Sequence, residues 1–484
     1  MAPSTEVSSN RTTNRKSNST RSRFSGALIA ALVAVMASTS VAAEKVALID
    51  ARQPGDLQRV QVTFEVIGSL GIGAEAKDEK GENPLEVKMS AAARLAYQER
   101  MVTHSGANSV AGRYYEGAVA KLQVGELKED VQLDETQRLV IAESLNGQGL
   151  TSAGQPLSRK EKEMIAVPGN GLVAYRLLPG KTVSVGETWS HQSEDLAAIL
   201  NIDEVIVNEV RTRLVSLDNG LARMQIAGSL TGNINGAATE IKLSGDCRYD
   251  TGWKRINWLQ LTIEENRDPS AAQPGFNVRA EMRMLAAPHK DSPELESGKL
   301  AKTIQQLDRR KSFLRFESEP GAFRLIHDET WHLVDDREIN TSMRLVQRGK
   351  QIAQCNIRRL KRLEKGKTLG LDEFQSDIQK ALGKRFGEFA KAKKNQRADG
   401  YEVLHVVAQG AVSELPIRWV YYHLTSPEGE RVSYVFTMEN RMTDNFAAAD
   451  HAMVDSIQLM ARANVEGKSG EESTANLRSP AARR

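Results

Sequence analysis

The sequence predicts an α+β, β-rich protein: a large curved antiparallel sheet or open barrel, then an antiparallel sheet packed with two helices. Three observations carry that expectation. Between residues 55 and 285 one run of period-two alternation follows another with no long helical pattern between them, which favours antiparallel neighbours. Turn sequences such as Asp218-Asn-Gly220, Asn233-Ile-Asn-Gly236 and Asp250-Thr-Gly252 separate those runs where hairpins need them. Beyond residue 312 the order becomes strands, a helix, three strands and a closing helix.

The chain opens on a polar segment, Met1 to Arg23, where Arg11, Arg15, Lys16, Arg21 and Arg23 face one acid, Glu6. An apolar run from Gly26 to Ala37 follows, and Ser38-Thr-Ser-Val41-Ala42-Ala43 supplies the small residues a signal peptidase needs. That run of 12 residues falls short of the ~20 that span a bilayer as a helix. Residues 1–43 therefore read as a secretory leader cut between Ala43 and Glu44, with an uncleaved anchor as the competing reading. No Cys lies near the leader's end, which argues against a lipid anchor. The expected location is outside the membrane: periplasm, cell envelope or extracellular space.

The leader also accounts for the basic net charge. The whole chain has 65 bases and 62 acids, and taking off the leader's five bases and one acid leaves 60 against 61. A near-neutral mature protein gives no electrostatic case for nucleic acid or for a membrane surface, so membrane contact is expected only through an uncleaved leader. Two cysteines, Cys247 and Cys355, lie far apart without CxxC spacing, and read as buried, reduced apolar residues rather than a scaffold of bridges.

Element by element, residues 59–67 place Val60, Val62, Phe64 and Val66 on one face, and residues 85–97 alternate in the same way. Further strands are expected at 110–124, 137–144, 171–178, 205–217, 221–230, 237–249 and 254–266. Short helices are expected at 157–165, where Ser158 and Glu161 form a capping box, and at 191–200. Residues 286–311 read as a linker with an exposed helix near 296–308. The second domain, 312–461, is expected to hold strands near 322–327, 331–335 and 340–346, then the run Gln351 to Leu363. A helix through Leu371, Phe374, Ile378, Leu382, Phe386 and Phe389 follows, with Asp372 at its favourable end. Three strands, 401–409, 417–425 and 431–438, precede a closing helix that presents Phe446, Ala449, Met453, Ile457 and Met460. Residues 462–484, without aromatics, read as a disordered tail.

The element order of the second domain, with Trp331 on an early strand and the runs Trp419-Val-Tyr-Tyr422 and Arg431-Val-Ser-Tyr-Val-Phe436, resembles the PsbP/Mog1-like fold. The first domain, with Gly186-Glu-Thr-Trp189 after Leu177-Leu-Pro179 and a strand series behind it, resembles β-rich exported bacterial proteins. Among these it is similar to the LolA/LppX-like lipoprotein-carrier half-barrels, which implies a curved sheet folded around helices. Neither resemblance brings a catalytic residue.

Candidate chemistry is sparse. His327-Asp-Glu-Thr-Trp-His332 is the densest polar cluster, but its histidines are five apart on a predicted strand and point to opposite faces, unlike the helical metalloprotease pair. Gly71-Ile-Gly73-Ala-Glu-Ala76 lacks the helix that a dinucleotide loop needs. His191-Gln-Ser-Glu-Asp195 reads as a helix start with acids in its first turn. Trp419, Tyr421 and Tyr422 lie on alternate faces of one strand; one set packs beneath a helix, or else an aromatic face is open to a ligand or partner. The basic segments at 358–362 and 391–394 read as solvated strand and helix ends. No catalytic, cofactor or metal residue is assigned, and no cofactor is implied.

These observations favour a non-enzymatic exported protein that binds a partner or acts in the cell envelope. A lipid or hydrophobic-ligand carrier, using the concave face of the first sheet, is the first alternative. An enzyme with an unrecognised site near His327 or His191 is the second. A ligand-sized apolar cavity within the 55–285 sheet is the feature that separates them.

Overall fold

The computed structural model describes residues 44–72, 85–105, 108–144, 149–270, 274–307, 313–364 and 367–461. The leader with Ala43, most of the Gly71–Ala76 loop, and the 462–484 tail lie outside them. The described residues form one compact unit, built of a large sheet and a smaller second lobe.

The large sheet is antiparallel and open. Its neighbours run Gly149–Ser152, Leu139–Glu143, Asn108–Val124, Leu85–Ser105, Leu57–Ile72, Gly275–Pro288, Arg255–Arg267, Ala237–Asp250, Leu221–Ile234, Arg211–Asp218 and Thr188–Ser190. Leu127–Gln132 and Glu204–Asn208 pair with members of this series from the side. The expected alternation is present: Val60, Val62, Ala93, Leu95 and Tyr97 are buried, while Gln61, Thr63, Ala92 and Arg94 are exposed. The first and last long strands of the lobe pair at its middle, with Val66 opposite Ala280 and Phe64 opposite Met282.

One face of this sheet wraps a plug drawn from residues 157–202. The helices α1 (Arg159–Ile165) and α2 (Ser193–Leu200) belong to it. Helix α1 starts at the expected capping box, Ser158 accepting from the Glu161 amide and Glu161 from the Ser158 amide. Residues 171–178, expected as a strand, form a buried turn with a short 3-10 helix, Ala174–Leu177. The reason is local. Asn170 takes the Leu172 amide on its side chain and the Val173 and Ala174 amides on its carbonyl, and Leu172, Val173, Ala174 and Tyr175 are buried without alternation. The single strand expected at 205–217 is two, broken where the Asn208 side chain accepts from the Val210 amide. Helix α3 (Ser297–Gln306) lies where a helix was expected, but the strand before it runs on to Pro288. Leu300 packs on the far side of the sheet over Gly112, where a Cβ would come 2.7 Å from it.

The second lobe holds a seven-stranded antiparallel sheet in the order Trp331–Arg337, Asn340–Gln347, Lys350–Leu360, Arg431–Glu439, Leu415–Thr425, Glu402–Val412, Phe386–Gln396. Helix α4 (Leu371–Leu382) buries Phe374, Ile378 and Leu382 on one face of it. The helix stops at Gly383, whose φ of +55° combined with ψ of −125° is a region that glycine reaches without strain. Phe386 and Phe389, expected on that helix, therefore fall on the edge strand that follows, with ring centroids 4.6 Å apart. This edge carries exposed Lys391, Lys393 and Lys394 and two register shifts, both devices that discourage edge-to-edge pairing. The closing helix is split into α5 (Thr443–Phe446) and α6 (His451–Ser456) by Ala447, at φ +43°. Phe446, Met453 and Ile457 still bury on the sheet face opposite α4. A small sheet of Phe313–Ser318, Phe323–Asp328 and Gln458–Leu459 completes the lobe.

Among the described residues, the lobes meet at helix α1 and at a pair of turns. Helix α1 docks through Arg159, which donates to the Glu329 and Trp331 carbonyls at 2.6 and 3.0 Å, and through the Lys162–Glu329 ion pair. The Arg315 amide donates to the Leu157 carbonyl beside it. Away from this joint, the turn at Gly236 abuts the turn at Gly349.

Candidate functional site: an apolar cleft beside the plug

The concave face is filled unevenly. Where the plug sits, a polar network lies inside the core. Arg113 and Glu99 are each 1% exposed and paired at 2.7 Å. Gln58 donates to Glu99, and Arg113 donates to Asn170, each at 2.7 Å. Arg52 donates to the Gly171 and Leu172 carbonyls and lies 3.9 Å over the Tyr175 ring. The Arg52 bonds satisfy carbonyls of the irregular plug backbone that no strand ladder could serve, and Arg113 holds the Asn170 side chain that caps the same turn. A buried pair of this kind fixes an arrangement more than it stabilises one.

Beyond the plug the long strands continue and their inward residues lose cover. On Leu57–Ile72, Val60 and Val62 are fully buried, whereas Phe64, Val66 and Leu70 are half-buried. On Leu85–Ser105 the same gradient runs from Tyr97 and Leu95 out to Met89. The uncovered end forms a cleft of about 250 Å³, walled also by Ile241, Ile263, Phe276 and Val278 and closed at its inner end by Pro168 and Leu200 of the plug. It approaches the low end of small-molecule sites and shares their mainly apolar lining.

Register places one charge in that wall. Across four strand pairings, Ile241, Glu265, Val278, Gly68 and Met89 form one row. Glu265 is the acid in it, and Gly68 adds no side chain. The Glu265 Oε1 accepts from the Thr239 hydroxyl at 2.7 Å and from Arg267 Nε at 2.8 Å. Arg267, one row further out, lies 4.3 Å over the ring of Phe276.

The residues singled out by sequence are elsewhere. Trp419 and Tyr421 are buried under α4, and Tyr422 is buried on the opposite face, donating to Asp450 at 2.6 Å. The open aromatic face is thus replaced by packing on both sides, because helices cover both faces of this central strand. His191 lies 2.8 Å from the Thr212 hydroxyl rather than among carboxylates; Asp195 pairs with Arg176. Buried His327 has Nδ1 2.7 Å from the Asp328 carbonyl, and Arg159 stands near it and His332. Among the described residues, no group of three or more His, Cys, Asp or Glu is placed to hold a metal ion. Cys247 and Cys355 are free and buried. No described helix is long and apolar enough to cross a membrane. The sequence reading missed Glu265, Arg267 and Thr239, whose spacing has meaning only once register is known.

No protein-family model matches the chain, and no curated protein is significantly similar to it. Among solved structures, the Saccharomyces cerevisiae Ran-binding protein Mog1p is similar over 31% of this chain and 96% of its own, at 8% identity and a TM-score of 0.25. Lipovitellin is similar over 50% of this chain, which spans only 26% of lipovitellin, at 8% identity and a TM-score of 0.27. OpdQ of Pseudomonas aeruginosa covers 80% of the chain at 10% identity and a TM-score of 0.11. Scores this low carry no argument about fold or function.

Proposed function

We propose that this is an exported, non-enzymatic binding protein of the cell envelope whose large sheet holds an acyl-chain-like ligand in the cleft beside the plug. The observation that carries this is the gradient of cover along Leu57–Ile72 and Leu85–Ser105, which leaves half-buried Phe64, Val66 and Met89 around a ligand-sized space. Each methylene that leaves water for such a wall gains about 0.8 kcal/mol, so a chain of modest length binds measurably. Export rests on the composition of residues 1–43, with its basic start, apolar run and small-residue exit.

The test is a titration of the purified protein with the apolar fluorescent probe N-phenyl-1-naphthylamine. Saturable enhancement is expected for the wild type. The Val66→Trp variant, which fills the cleft, should lose the enhancement while its thermal midpoint stays close to the wild-type value. A wild type that does not bind the probe overturns the proposal.

A further inference from the structure

The cleft has a polar end and a closed end, and the two together specify a ligand. Pro168 and Leu200 close it beside the plug, and the adjoining register row, Leu243, Ile263, Ala280, Val66 and Ala91, is wholly apolar. Moving outward, the next row carries Glu265 and the one beyond it Thr239 and Arg267. On the Thr239–Glu265–Arg267 side polarity therefore rises from the plug to the rim, while Phe276 and Leu70 keep the other side of the outer row apolar. An extended amphiphile fits with its chain toward Leu200 and its head beside Glu265.

The electrostatics of that rim choose the head. Glu265 is the charged group in the lining itself. It accepts from Thr239 and Arg267 through Oε1, and an ionised carboxylate has further lone pairs on Oε2 for a donor brought by the ligand. A carboxylate head would meet Glu265 as a like charge. It could reach Arg267 only by taking that guanidinium from a partner it already holds over the Phe276 ring. An ammonium head would be drawn to Glu265, but that carboxylate is already paired with Arg267, whose like charge stands one row away.

Resting on the proposal that the cleft binds an acyl chain, we infer that its ligand is a single-chain amphiphile with an uncharged, hydrogen-bond-donating head, an alcohol or primary amide rather than a free fatty acid. The head donates to the Glu265 carboxylate, and the Arg267–Glu265–Thr239 set stays intact around it.

Competition against bound N-phenyl-1-naphthylamine tests this, with decanol and decanoate as ligands of equal chain length at neutral pH. Decanol is expected to displace the probe at about tenfold lower concentration than decanoate, the order expected for a like-charge contact screened by Arg267. In Glu265→Gln the advantage of decanol should shrink, because the like charge in the lining is removed. Equal or tighter displacement by decanoate in the wild type overturns the head-group assignment, as does a bound probe that neither ligand displaces; both leave the cleft as an apolar site. A wild type that fails to bind the probe overturns the cleft itself. The wild-type comparison decides the question even if the variant does not fold.

Discussion

Gly236 and Gly349, at hairpin tips of two different sheets, meet backbone against backbone. A Cβ on Gly236 would stand 2.2 Å from the Gly349 Cα, and one on Gly349 would stand 2.4 Å from the Gly236 Cα. Both residues also hold positive φ, +76° and +73°. Alanine at either position thus meets a strained backbone and a closed space. Gly236→Ala and Gly349→Ala should each cost about 1–3 kcal/mol in denaturant unfolding. Because they share one contact, the double variant should cost less than the two single losses added. Strict additivity would show that the turns act independently.

The Arg113–Glu99 pair gives a second expectation. Removing one partner leaves the other buried and unpaired, and Arg113 also holds Asn170 of the plug. Arg113→Met should therefore destabilise by about 3–5 kcal/mol. Replacing both, as Arg113→Met with Glu99→Leu, should recover part of that loss in the same measurement. A single variant within 1 kcal/mol or so of wild type would contradict a pairing role.

Acid should weaken the fold before it reaches the carboxylates. Burial pushes the pKa values of His191, His327 and His423 down to about 4 from 6.5. The unfolded chain takes up protons at these residues below about pH 6.5, and the folded chain resists until about pH 4. The stability they leave intact above that window drains away as pH falls through it. Urea unfolding at neutral pH and near pH 4.5 should differ by several kcal/mol, at ~1.4 kcal/mol per pKa unit for each residue before discounting. His327→Gln should flatten the dependence.

The two thiols should be silent in the native state. Cys247 and Cys355 are buried, and burial raises both thiol pKa values, so neither presents a thiolate. Treatment with an aromatic disulfide reagent should label neither in buffer and both in denaturant. Rapid native labelling of Cys355 would mean that its strand, Lys350–Leu360, opens to solvent.

Much of the large sheet was legible because burial on one face writes itself as alternation. Val60, Val62, Phe64 and Val66 needed no neighbour to be read, and neither did the capping box at Ser158. Elements set by backbone detail were less visible. Gly383 ends α4 before Phe386, yet a three- and four-residue spacing continues across it by coincidence. The turn at 171–177 is apolar enough to pass for a strand, and only Asn170 and Arg52 decide otherwise. The cleft was the least legible feature. Half-buried Phe64 and fully buried Val62 are the same kind of letter, and what separates them is where the plug stops. Glu265 becomes part of the wall only through the register that sets it between Ile241 and Val278.

The pairing of Leu57–Ile72 with Gly275–Pro288 has a consequence in time. Hairpins on either side of this seam can form early, since their strands are close in the chain. The seam itself joins the two ends of the lobe's sequence and must wait for the last strand, the kind of distant closure that slows folding. Phe64 and Val66 stand on one side of it, Phe276 and Val278 on the other. The cleft is thus among the last features the lobe acquires on folding, and a chain cut short of Gly275 would display an unpaired strand there instead of a binding wall.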